Sequence, residues 1–219
     1  MKRHLWVVPA ALAFAAAGSG CKHDDQYVRR TRVPGVDGVS TDEVKAWILF
    51  PEEKGVAGAG AAVMAVDISR DALDLAGENA RRHQVADRIR FVQADMLGFL
   101  MSSDASEGPF DIIASNPPYI KRKDMESLPP DVQQEPCVAL DGGDDGLRVY
   151  RTMISRAGRF LREGGHLIAE IGDGQRDAVA SLFEQSCFSS VDFILDYVKT
   201  PRILIAKKCR RDWQSYQEE

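Results

Sequence analysis

From about residue 61 onward the chain alternates short apolar runs with helical segments, and three of the apolar runs end on polar residues. Residues 62–66 end at Asp67, residues 89–93 at Ala94-Asp95, and residues 110–114 just before Asn116-Pro117-Pro118-Tyr119. Between the first two runs, residues 71–83 repeat small and apolar side chains at helical spacing, through Ala72, Leu75 and Ala76, with Ser69 placed as N-cap. Residues 147–161 read as an amphipathic helix stopped at Gly164-Gly165, 166–171 as a strand, 175–186 as a helix, and 191–197 with 202–207 as two closing strands. Strands alternating with helices predict an α/β fold: a Rossmann-like, doubly wound sheet, mostly parallel, with an antiparallel C-terminal hairpin at one edge.

In such sheets ligands bind beyond the carboxyl ends of the strands, so the polar strand ends are the candidate site. An acid at the position of Asp67 is placed to accept hydrogen bonds from the hydroxyls of a ribose. Asp95 and Met96 would then sit beside the adenine, the methionine as an apolar contact. Singly, an acid at a strand end is more often a helix N-cap. Three polar strand ends at this spacing favour a nucleoside site.

Asn116-Pro117-Pro118-Tyr119 carries the more specific chemistry. Its two prolines fix φ and supply no backbone N–H, so the loop holds one shape. The Asn116 side chain and the Pro117 carbonyl can both accept hydrogen bonds from one planar NH2 group. Tyr119 offers a ring face for the amide or base that carries it. Such a clamp turns a weakly nucleophilic nitrogen toward an electrophile, which is catalysis by positioning. The stretch reads as the acceptor site of an amino- or amide-nitrogen methyltransferase using S-adenosylmethionine.

Composition narrows the field. The chain has 219 residues, enough for one domain, and a net charge of −5 from 28 basic and 33 acidic side chains. That balance argues against a broad basic surface, and no direct sequence-specific nucleic-acid binding is expected. Lys207-Lys208 and Arg210-Arg211 read as part of a solvated tail. The four cysteines form no C-x-x-C pair and the four histidines lack ligand spacing, so no metal is assigned.

Residues 61–208 resemble the HemK-type (PrmC) protein-glutamine N5-methyltransferases, which modify the Gly-Gly-Gln glutamine of peptide chain release factors. The resemblance rests on Ala65-Val66-Asp67-Ile68-Ser69 with Glu78-Asn79-Ala80, and on Asn116-Pro117-Pro118-Tyr119-Ile120. It continues through Glu135-Pro136, Ala139-Leu140, Gly142-Gly143-x-x-Gly146-Leu147, Glu170-Ile171-Gly172 with Gln175, and Asp196-Tyr197 ahead of Arg202. It implies the class I S-adenosylmethionine-dependent methyltransferase fold and a release factor as protein partner. It also implies that Asn116, Pro117 and Tyr119 are catalytic and that Pro118 joins them in binding substrate. Asp67, Asp95, Met96 and Asn116 would contact S-adenosylmethionine. Glu135 is read as a loop anchor rather than a base.

Two parts of the family pattern are not found. Residues 22–60 are too short and polar for a helical N-terminal domain and read as a linker or degenerate region. The first strand and its Gly-x-Gly-x-Gly turn, which lets backbone approach the cofactor, are also not found, so the fold reads as N-terminally incomplete. Residues 47–50 have strand character, but Gly55-x-x-Gly58-x-Gly60 runs straight into a strand, whereas a cofactor loop opens a helix. Residues 1–21 carry a basic start, an apolar run and small residues before Cys21, the pattern of a lipoprotein leader or of a misassigned start. No membrane association is expected unless that leader is genuine. A cytoplasmic site is expected, because export would part the chain from S-adenosylmethionine and from release factors. Residues 209–219 read as a polar tail. Two other readings stand beside the leading one: an inactive remnant of the family, and an adenine-N6 methyltransferase acting on nucleic acid.

Overall fold

The computed structural model describes residues 3–8, 61–101, 108–130 and 132–210, and the chain divides into two units, 1–96 and 97–219. In the first unit, strands β1 (Arg3–Val8), β2 (Ala61–Asp67) and β3 (Ile89–Gln93) lie in the order β3-β2-β1. All are parallel, with Val63 opposite Ile89 and Asp67 opposite Gln93. Helix α1 (Arg70–Arg82) links β2 to β3. Its buried stripe, Leu73, Ala76, Gly77 and Ala80, follows the i, i+3, i+4, i+7 rule. Asp71 in its first turn and Arg81 and Arg82 in its last complement the helix dipole. Small residues let this helix lie close to the sheet, where Met64, Ala65 and Val66 of β2 are buried.

The strand β1 is the main departure from the sequence reading, which left β2 without an inner neighbour and gave residues 1–21 to a leader or misassigned start. The structure sets Arg3 opposite Ala61 and Val7 opposite Ala65, filling that position. The reason lies in ambiguous composition. Leu5-Trp6-Val7-Val8 is an unbroken apolar run, and such a run is the pattern of a parallel strand as much as of a leader. The strand character read at 47–50 and the glycine cluster at 55–60 lie outside the described residues.

The second unit holds β4 (Phe110–Ser115), β5 (Leu161–Glu170), β6 (Phe188–Leu195) and β7 (Pro201–Lys208) in the order β4-β5-β7-β6. The β4–β5 pair is parallel and the other two pairs antiparallel, so the closing hairpin is as expected. Helices α2 (Met96–Met101) and α3 (Cys137–Leu140), both short, had no clear sequence signal. Helix α4 (Arg148–Ala157) ends four residues before the sequence limit of 161. The chain must already be extended at Leu161, which pairs with Phe110. Gly164-Gly165 is therefore no helix stop. Gly164, at φ +67°, lies in a bulge that shifts the register so that Ile112 faces His166. Helix α5 (Arg176–Ser181) is also shorter than read. Tyr150 and Met153 of α4, Phe160, and Leu167 and Ile168 of β5 form the fully buried centre of this unit.

Candidate active site

The turn after β2 is built from neighbouring residues. Half-buried Asp67 accepts a hydrogen bond from the Ser69 amide on Oδ1 at 2.8 Å, and the Ser69 hydroxyl caps α1 by accepting from the Ala72 amide at 3.2 Å. The Ala94 amide donates to the Asp67 carbonyl at 3.0 Å, drawing the end of β3 alongside. Asp95 follows, exposed, and Met96, partly exposed, opens α2. Asp67 and Asp95 thus come together at two adjacent strand ends. The turn occupies one oxygen of Asp67, and an ionised carboxylate has acceptor capacity to spare for a diol.

Asn116, Pro117, Pro118 and Tyr119 lie together in the second unit, directly after β4. Pro117 is buried, and Asn116, Pro118 and Tyr119 are half-buried. Tyr119 is held at both ends. Its hydroxyl donates to Glu170 Oε1 at 3.2 Å, and its carbonyl accepts from Gln175 Nε2 at 3.0 Å. Gln175, 8% exposed, also donates to the Gly146 carbonyl at 3.3 Å and accepts from the Gly172 amide at 3.1 Å.

Three glycines make room for this junction. A Cβ on Gly142 would stand 2.8 Å from the Tyr119 backbone, and one on Gly172 would stand 2.9 Å from the Tyr119 ring. At Gly146, where φ is +78°, it would lie 2.5 Å from the Tyr119 carbonyl oxygen. Beyond Tyr119, Ile120 bridges to Asp141: the Ile120 amide donates to the Leu140 carbonyl at 3.0 Å and the Gly142 amide to the Ile120 carbonyl at 2.8 Å. Arg122 then pairs with Asp141 and Asp144, and the Gly143 amide with the Arg122 guanidinium holds the Asp141 carboxyl below the usual range.

Electrostatics follow from this packing. Burial, with the nearby Glu170 carboxylate, pushes the Tyr119 phenol up to about 12, so it remains a neutral donor at physiological pH. Burial likewise raises Glu170, while the Tyr119 hydrogen bond and the Arg202 charge oppose the rise. Arg202 is itself paired with Asp196 at 3.2 Å, and its carbonyl accepts from the Ile171 amide at 2.8 Å. Asn116 differs from its neighbours. Among the described residues its side chain makes no hydrogen bond.

Gln175, Glu170 and the three glycines were visible as blocks of sequence but carried no assigned role. Only convergence of distant loops gives them one. Glu135 does not anchor its loop through its side chain: among the described residues its carboxylate makes no hydrogen bond or ion pair, and its charge instead acts on Tyr119.

The comparisons with known proteins bear on this arrangement. The release factor glutamine methyltransferase of Agrobacterium fabrum is 40% identical over 143 residues, covering 65% of this chain and 47% of that protein. Its counterpart in Moorella thermoacetica is 40% identical over 147 residues, 67% of this chain and 50% of that one. This chain is similar to the release factor glutamine methyltransferases over about two thirds of its own length. It spans about half the length of these curated relatives. The ribosomal protein uL3 glutamine methyltransferase of Francisella tularensis is also 40% identical, over 110 residues, 50% of this chain and 33% of that protein. The RMKL-like methyltransferase domain family matches residues 24–128.

Among solved structures, the hMettl16 catalytic domain in complex with MAT2A 3'UTR hairpin 1 aligns with a TM-score of 0.57 at 10% identity, over 96% of this chain and 65% of that one. A predicted O-methyltransferase from Agrobacterium tumefaciens aligns at 0.53 and 15% identity, over 95% and 75%. The fold is that of the class I methyltransferases.

Proposed function

We propose that this chain transfers a methyl group from S-adenosylmethionine to the side-chain amide nitrogen of a glutamine, that of the Gly-Gly-Gln segment of a peptide chain release factor. The observation that carries the reading is Asn116. A half-buried amide with no hydrogen bond among the described residues stands on a loop that is otherwise tied down from several directions. Its amide atoms are not shut away from solvent, so its oxygen has acceptor capacity that an incoming NH2 group can take up in place of water.

Asn116 Oδ1 and the Pro117 carbonyl would accept the two hydrogens of one amide NH2, fixing its plane. The same two acceptors stabilise the positive charge that grows on nitrogen as it attacks. Tyr119, held at hydroxyl and carbonyl, presents a fixed ring to the flat amide. Asp67 would accept from the ribose hydroxyls, with Asp95 and Met96 beside the adenine. Asp67 suits a ribose diol because, among the described residues, the turn engages only one oxygen of its carboxylate. Bound S-adenosylmethionine supplies a methyl group on a sulfonium with a good leaving group. What remains for the protein is alignment, which can be worth about 7–11 kcal/mol of the barrier. The reading puts the working chain in the cytoplasm.

The names of the relatives give two glutamine substrates, in release factors and in uL3. The release factor is favoured because those relatives align over the longer stretch. Adenine in nucleic acid fits less well with a net charge of −5. The test incubates the full chain with S-adenosylmethionine and, separately, a release factor, uL3 and RNA, and maps methyl groups by mass spectrometry. One methyl on the Gly-Gly-Gln glutamine is the expected result. Methyl on adenine, or cofactor binding without transfer to any glutamine, would overturn the reading.

A further inference from the structure

We infer that Gln175 is a positioning residue for the acceptor loop: its buried side-chain amide splices three chain segments so that the loop after β4 holds one shape. The role rests on the amide-methylation reading for its catalytic meaning, though the splice itself stands on geometry alone. Gln175 is the residue before the first turn of α5, a position from which a polar side chain usually caps the helix. Here it makes no capping bond and turns inward. Its Oε1 accepts from the Gly172 amide at 3.1 Å, within the segment that follows β5. Its Nε2 donates to the Tyr119 carbonyl at 3.0 Å and the Gly146 carbonyl at 3.3 Å. One planar amide therefore joins the loop after β4, the glycine turn before α4 and the segment after β5.

Its surroundings are cut to fit it. A Cβ on Gly146 would lie 2.6 Å from Gln175 Nε2, and one on Gly172 would lie 2.7 Å from Oε1. The site asks for a donor and an acceptor on one planar group, which the glutamine amide supplies. A carboxylate would oppose two carbonyl oxygens, and an apolar isostere would leave two carbonyls and one N–H unpaired. The Tyr119 carbonyl lies two residues beyond that of Pro117, the acceptor assigned to the substrate, so a shift at Tyr119 is carried to the clamp. Displacements near 1 Å at such sites cost on the order of 10²-fold in rate.

The test compares the full chain with Gln175→Glu and Gln175→Met. Amide hydrogen exchange is read at Ile120, Arg122 and Gly142, whose N–H groups are bonded in the region the splice holds, with Leu167–Ala169 of β5 as reference. Both variants should exchange at least about tenfold faster at the three loop amides with β5 unchanged, tenfold being about 1.4 kcal/mol. Lowering the pH until the introduced carboxylate is protonated should restore part of the protection in Gln175→Glu and none in Gln175→Met, because only the acid regains a donor. Unchanged loop exchange would overturn the inference, as would equal loss of protection through β5, which would make Gln175 a packing residue. In the glutamine methylation assay both variants should lose kcat with little change in the KM for S-adenosylmethionine. A wild-type chain that methylates no glutamine would sink the functional reading while the exchange data still decide the splice.

Discussion

The turn after β2 and the loop after β4 both present polar side chains at a strand end, yet they are held by bonds of very different reach. Asp67 is fixed to Ser69, two residues away, and Ser69 to Ala72, three away. Tyr119 is fixed to Glu170 and Gln175, 51 and 56 residues away, and Gln175 to Gly146 across 29. A turn made from adjacent residues forms whenever its helix forms, and loses one bond when one residue changes. A loop assembled from three distant segments exists only once the sheet of its unit has formed, and its members fail together. The division suits the work proposed for each. A nucleoside contact tolerates small adjustment, whereas an amide nitrogen aimed at a methyl group does not.

The comparison breaks most visibly at Gly146. Gly146→Ala adds a Cβ where φ is +78° and where the Tyr119 carbonyl oxygen and Gln175 Nε2 are both within 2.6 Å. Backbone strain alone is about 1–2 kcal/mol, and the displaced loop should cost about 10²-fold or more in methyl transfer. Turnover measured beside cofactor affinity checks this: affinity near wild type with transfer lost is the expected result, and intact turnover would show that the junction does not govern the clamp. Asp67→Ala sharpens the other side. It should weaken S-adenosylmethionine binding by about tenfold, the size of one or two hydrogen bonds to a charged group, with a smaller effect on kcat. Calorimetric titration reads it, and unchanged affinity would remove the ribose contact.

The smallest effect concerns pH. The Tyr119 phenol titrates near 10 when unfolded and near 12 in the folded chain. The folded state therefore holds the proton more tightly. Its contribution is fully present below pH 10 and is lost as pH rises from 10 through 12. Tyr119→Phe should flatten the alkaline fall in stability without abolishing it, because burial raises Tyr150 as well. Denaturant melts of both proteins across that window measure the difference, and parallel curves would show that Tyr119 is not buried as described.

Much of this was legible in the sequence where the signal was local. The strands β2, β3 and β4, the capped helix α1 and the final hairpin each announce themselves by periodicity and bounding residues. Asp67 with Ser69, and the loop at Asn116, fell at the expected strand ends for the same reason. What could not be read is what depends on distant partners. Gly164-Gly165 looks like any helix stop until β4 fixes where β5 must begin. Leu5-Trp6-Val7-Val8 suits a leader or a strand until β2 is set beside it. Gln175 looks like the first residue of a helix until Tyr119 and Gly146 arrive to take its hydrogens.

The claim at the centre is that Asn116 receives the amide that is methylated. The most direct test measures single-turnover methyl transfer from S-adenosylmethionine to a release factor's Gly-Gly-Gln glutamine, by wild type and Asn116→Ala, with cofactor affinity and thermal stability determined on the same samples. The account predicts transfer by wild type and a loss of about 10²-fold or more in the variant, comparable to removing one preorganised hydrogen-bonding group from an active site, with stability changed by about 1 kcal/mol or less. Transfer by Asn116→Ala at the wild-type rate would contradict it.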